Sequence, residues 1–127
     1  MNRMTYNKRL YKQAMEILHL SRHISEYLLF DYAALQPNGN EHPDVYFTGD
    51  IVRHSDSLAP QIIKAANHPF QDDRIKHAHD LNSLTQRLHA TCERLERAES
   101  NGKDFIKHLR HELHKFSKLQ RKWMMTL

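Results

Sequence analysis

The chain has little of what many small folds depend on. One cysteine, Cys92, in 127 residues excludes an internal disulfide and a zinc site built on several thiolates. Three glycines and four prolines are too few for a loop-rich, collagen-like or many-hairpin β chain. No run approaches the ~18 consecutive apolar residues of a membrane span. The longest apolar pieces, such as Tyr27-Leu28-Leu29-Phe30, are short. No apolar run of signal-peptide length follows Met1-Asn2-Arg3-Met4-Thr5-Tyr6, so the expected setting is cytoplasmic and reducing. Glycine-rich phosphate loops and Gly-x-Ser-x-Gly elbows are missing too. The length suits one domain, 1–127, and falls short of the roughly 200 residues of a barrel enzyme or full dinucleotide-binding fold.

What is present is helical periodicity in four segments, with no sustained period-two alternation. The first spans about 5–35, with Leu10, Ala14, Ile17, Ser21, Ile24, Leu28, Asp31 and Leu35 as its apolar stripe. Gln36-Pro37-Asn38-Gly39-Asn40 stops it. The second spans about 44–67 on Phe47, Ile51, Ser55, Leu58, Ile62 and Ala65. Pro60 lies inside it and predicts a kink or break, because it lacks an N–H and crowds the carbonyl of Asp56. The third spans about 72–99 on Ile75, Ala78, Leu81, Leu84, Leu88, Thr91 and Leu95, with Asp72 and Asp73 suited to its start. Ser100-Asn101-Gly102 reads as a left-handed stop. The fourth spans about 103–125 on Ile106, Leu109, Leu113, Phe116, Gln120 and Trp123. Short links make successive helices antiparallel neighbours. The fold expected is all-α, an antiparallel up-down-up-down four-helix bundle. Tyr27, Phe30, Tyr32 and Trp123 suggest more burial than one bundle needs, at a subunit interface or in a broader core.

The net charge of +4 hides a segregation. Residues 1–22 are net +4, residues 23–100 net −5, and residues 101–127 net +5. The up-down topology would set Arg3, Lys8, Arg9 and Lys12 beside Lys115, Lys118, Arg121 and Lys122. Lys103, Lys107, Arg110, His114, Lys118 and Arg121 also share one face of the fourth helix. Like charges at that spacing repel by a few tenths of a kcal/mol each. The stripe is either a solvated basic face or a groove for an anion: nucleic-acid phosphates or, as the alternative, an acidic protein surface.

Eleven histidines raise the question of a metal. Di-iron bundles use two Glu-x-x-His motifs and two further inward glutamates. This chain has one such motif, at Glu16 and His19, and largely apolar seams. Surface histidines are the expectation, with no metal and no cofactor. Cys92, beside the third stripe, reads as a structural thiol. Ser21, Ser55 and Thr91 read as small or back-bonded core positions. No catalytic constellation emerges, and the chain is expected not to be an enzyme.

The run Val45-Tyr46-Phe47-Thr48-Gly49-Asp50-Ile51-Val52-Arg53, followed by Ile62-Ile63-Lys64-Ala65-Ala66-Asn67, has a recognisable pattern. It resembles the second helix of bacterial four-helix-bundle proteins. These include the accessory variability determinant of diversity-generating retroelements and proteins encoded by intervening sequences in ribosomal RNA genes. A fourth helix ending near Trp123 is similar as well. Pro60 and the histidine content depart from the family pattern. The resemblance implies a non-enzymatic basic bundle, assembled as a homo-oligomer, of five subunits in the best-known form. It implies binding to a reverse transcriptase and to RNA or cDNA. By position that role would fall to Arg3, Lys8, Arg9, Lys12, Lys107, Arg110, Lys115, Lys118, Arg121 and Lys122.

Overall fold

A computed structural model describes residues 2–31, Gly39, 45–97 and 102–127. Among them are four α-helices and no strand: α1 (Arg3–Asp31), α2 (Val45–Asn67), α3 (Gln71–Arg97) and α4 (Lys103–Met124). α1 packs against α2 and α4, and α3 packs against the same two; among the described residues the backbones of the diagonal pairs do not approach one another. One core cluster joins all four, with Leu10, Ile17, Ile24 and Leu28 from α1 and Ile51, Leu58 and Ile62 from α2. Leu81, Leu88 and Leu95 come from α3, and Ile106, Leu113, Phe116 and Trp123 from α4. Each such side chain stabilises by about 1.5–3 kcal/mol when fully buried. No described helix is long and apolar enough to cross a membrane.

Local chemistry explains where the helices begin. α1 starts at Arg3, two residues before the expected start, because the Asn2 side chain accepts from the Thr5 backbone N–H at 2.9 Å and the Thr5 hydroxyl at 3.0 Å. That is an N-cap bond. Asp72 and Asp73 occupy the first turn of α3, where the helix dipole favours carboxylates. The expected left-handed stop does not form at Gly102, whose φ is −89°. Gly102 instead precedes α4, and its carbonyl accepts from the Ile106 N–H at 3.1 Å. Of that stop, Ser100 and Asn101 lie outside the described residues, as does most of the expected 36–40 loop, where Gly39 has φ +82°. Leu35, Tyr32 and the side chain of Asp31 are likewise outside the described set.

Two expectations are refined. Of the kink or break expected at Pro60, the break does not occur: α2 is one helix from Val45 to Asn67. Pro60 and Asp56 both face solvent, so the carbonyl that loses its partner is placed where water reaches it. On α3, Ile75 is exposed and Leu84 only half-buried, whereas Thr85 is buried. Thr85 is tolerated there because its hydroxyl donates to the Leu81 carbonyl at 3.0 Å and lies 3.3 Å from Gln120 Oε1. Tyr27 and Phe30 are exposed, and Trp123 is fully buried.

The other polar seam residues are satisfied in the same local way. Ser55 donates to the Ile51 carbonyl at 2.5 Å, so Ser21 is the donor in the 2.7 Å Ser21–Ser55 pair that joins α1 to α2. Thr91 donates to the Arg87 carbonyl at 3.0 Å. Cys92 is buried, and burial first, then Glu96, pushes its thiol up to about 12, which leaves it un-ionised and inert.

Candidate nucleic-acid interface

Three contacts set the register of α1 against α4. Trp123 Nε1 donates to Asn7 Oδ1 at 2.6 Å, Gln13 Nε2 donates to Glu112 at 2.8 Å, and the Tyr27 and Phe105 rings meet edge to face at 5.2 Å. The indole is buried, so the first of these contacts is the firmest: a fully buried aromatic fixed by a hydrogen bond that its N–H needs.

That register decides which candidate cations lie together. Arg3, Lys8, Arg9 and Lys12 lie within about two turns of Asn7. Lys115, Lys118, Arg121 and Lys122 lie within about two turns of Trp123. The two sets share one end of the molecule. Lys107 and Arg110 lie further along α4, roughly four turns from Trp123, and do not join them. Arg110 is half-buried, and the other nine candidates are exposed.

Carboxylates already engage two of the ten. Arg110 Nη1 lies 3.0 Å from Glu96 across the α3–α4 seam. Lys115 Nζ lies 3.2 Å from Glu112 within α4. Burial alone would raise the Glu112 carboxyl, but hydrogen bonds from Gln13 and Lys115 outweigh it and hold the group below the usual carboxylate range. Among the described residues no carboxylate pairs with Arg3, Lys8, Arg9, Lys12, Lys107, Lys118, Arg121 or Lys122. Some cations elsewhere in the fold do have partners. Arg53 pairs with Asp50, Arg22 of α1 reaches Asp56 of α2 at 3.9 Å, and Arg94 lies over the Phe47 ring at 5.3 Å.

The histidines distribute around this frame. The His89 and His114 rings meet at a tilt across α3 and α4, with centres 5.1 Å apart. Burial, then the neighbouring His114, pushes His89 below its ordinary value. Burial, then Arg53 and Arg87, does the same to His54. His68 and His77 face one another at 5.5 Å where α2 gives way to α3. Among the described residues no three His, Cys, Asp or Glu side chains group so as to hold a metal ion.

Two features of the basic end escape the sequence pattern. Arg74 donates to the carbonyls of His68 at 3.1 Å, Pro69 at 2.9 Å and Leu127 at 3.0 Å. One guanidinium thus ties the α2–α3 turn to the residues after α4. Its charge is spent on carbonyls that only the folded chain brings near, so no spacing in the sequence marks it. The second is Tyr11, which is off the apolar stripe yet faces α2 across a groove. An aromatic between Lys8 and Lys12 was the available signal. The chain matches no protein-family model, no curated protein and no solved structure.

Proposed function

We propose that this chain is a non-enzymatic accessory protein that binds nucleic acid through the basic end of an antiparallel up-down-up-down bundle. The observation that carries the reading is the Trp123–Asn7 hydrogen bond at 2.6 Å, which sets the basic start of α1 against the basic end of α4. The registers Ser21–Ser55, Gln61–His77 and Arg110–Glu96 support the alternating helix directions. Concentrating cations without carboxylate partners costs stability, and an anion at that end offsets the repulsion. The side chains are spread along helices with no base-reading motif, so phosphate contacts supply the affinity with little sequence preference. The protein partner in this reading is a reverse transcriptase, and the assembled form is a homo-oligomer. Both rest on the resemblance carried by residues 45–53 and 62–67, and co-purification with such an enzyme and light-scattering mass test them.

The direct experiment is a binding titration with RNA and DNA across a salt series. With six or more phosphate contacts, affinity should fall about 10³-fold between roughly 50 and 200 mM salt. The combined change Lys118→Glu, Arg121→Glu and Lys122→Glu should abolish binding at the low-salt end. Undetectable low-salt binding, or a flat salt response, ends the proposal. Binding of an acidic protein without nucleic acid would replace it with a protein-docking role.

A further inference from the structure

The end that gathers the cations also holds a groove for which phosphate binding has no use. It lies between the first turns of α1 and the last turns of α2, with a volume of about 290 Å³. Asn7, Lys8 and Tyr11 face Ile63, Ala66 and Asn67 across it. Its wall is mostly apolar, yet Tyr11 remains 40 % exposed and Ile63 47 %. Tyr11 thus leaves part of an aromatic ring open to solvent beside apolar neighbours, which a flat ligand can cover.

The polar rim narrows the choice of occupant. An indole N–H can only donate, so the 2.6 Å bond to Trp123 fixes Asn7 with Oδ1 toward the indole. Asn7 Nδ2 is then left to donate elsewhere. Lys8 sits in the wall, Lys12 lies one turn on, and Lys64 follows Ile63 on α2; none has a carboxylate partner among the described residues. The fitting ligand has a flat apolar face, an edge that accepts hydrogen bonds, and a negative charge attached beside them. An unpaired nucleotide has all three. Its base offers a π-face to Tyr11 and acceptors to Asn7 Nδ2, and its phosphates reach Lys8 and Lys12. A base inside a duplex has both faces covered, and extracting it costs a few kcal/mol. An acidic peptide supplies the charge but no obligatory flat group.

The geometry points to a base-stacking subsite on Tyr11 that makes single-stranded nucleic acid, and not duplex, the preferred ligand of this end. The inference rests on the phosphate-binding reading above. It is tested by anisotropy titrations of a labelled oligothymidylate and a duplex of equal length. Tyr11→Ala should weaken single-strand binding about tenfold or more and leave duplex binding within twofold. Tyr11→Phe should restore single-strand binding. Independently of any variant, an oligonucleotide carrying 5-iodouracil should photocrosslink to the unmodified protein at Tyr11, read by mass spectrometry of the peptide. Equal losses for single strand and duplex, or a crosslink elsewhere, overturn the subsite. If Tyr11→Ala binds normally while Lys8→Glu with Lys12→Glu does not, the subsite falls and phosphate binding stands. If the unmodified protein binds neither strand form, both fall together. If polyglutamate binds as tightly with the same Tyr11 dependence, the groove takes an acidic peptide and the base assignment is wrong.

Discussion

The two ends of the α1–α4 seam are built from opposite materials. At one end an indole is fully buried and hydrogen-bonded to Asn7, amid cations of which only Lys115 has a carboxylate partner among the described residues. At the other, Tyr27 and Phe105 pair edge to face while both remain nearly half-exposed, and Phe30 is 86 % exposed. Repulsion between α1 and α4 is concentrated at the first end, and so is the largest buried side chain. The difference teaches that the seam is fastened where charge would otherwise open it. The sharpest way to break that view is to remove each anchor in turn. Trp123→Ala should cost about 3–5 kcal/mol in urea unfolding, since it opens a cavity and strips Asn7 of its donor. Tyr27→Ala should cost about 1 kcal/mol or less, because its ring pair is half in water. Equal losses would mean the two ends contribute alike. A further sign of charge-holding would be partial recovery of Trp123→Ala in high salt, which screens the cations.

A second contrast separates the seam from its flank by pH. His54 and His89 are both held below their ordinary value, by burial and then by neighbouring positive groups. The unfolded chain therefore takes up protons as pH falls through about 6.5, while the folded chain resists. Stability is lost from that point downward and levels off once the folded groups also protonate. Glu112 has the opposite sign. Its folded value is depressed, so its contribution is complete above about 4.5 and is lost as pH falls through the lower, folded value. Unfolding followed from pH 7.5 to 3 should show two separate declines. His54→Gln with His89→Gln should flatten the upper one alone, and Glu112→Gln the lower one alone. A single decline untouched by the histidine changes would refute the assignment.

How much of this was legible beforehand differs by element. The stripes of α1, α2 and α4 were readable because their buried positions are mainly apolar, or small like Ser21 and Ser55, at three- and four-residue steps. On α3 the stripe misled. Hydrophobicity selects Leu84, but Thr85 is the buried neighbour, made acceptable by Leu81 and Gln120 bonds that a one-dimensional pattern does not contain. The sequence left a kink or a break open at Pro60; the break is avoided where the proline takes the solvent face, as it does here. The basic ends of the chain were visible as composition, but Arg110 was not separable from its neighbours until Glu96 stood opposite it. Tyr11 acquires its groove, and Arg74 its carbonyls, only from partners more than fifty residues away or across a turn.

Arg110 therefore provides the finest test of the comparison, with the smallest expected effect. It and Lys118 lie on the same basic face of α4, and composition treats them alike. In the fold they differ: the Arg110 guanidinium sits 3.0 Å from Glu96, whose side chain is mostly buried, whereas Lys118 has no carboxylate beside it among the described residues. A cation already neutralised releases few additional counterions when a phosphate arrives. Lys118→Ala should reduce the slope of log affinity against log salt by about one unit. Arg110→Ala should leave that slope nearly unchanged and lower stability by about 1 kcal/mol or less, the range of a partly exposed pair. The double change Arg110→Ala with Glu96→Ala should restore whatever stability the single change loses through the stranded carboxylate. If Arg110→Ala flattens the salt dependence as much as Lys118→Ala, the nucleic acid tracks the whole length of α4, and the division of the seam into a binding end and a packing end fails.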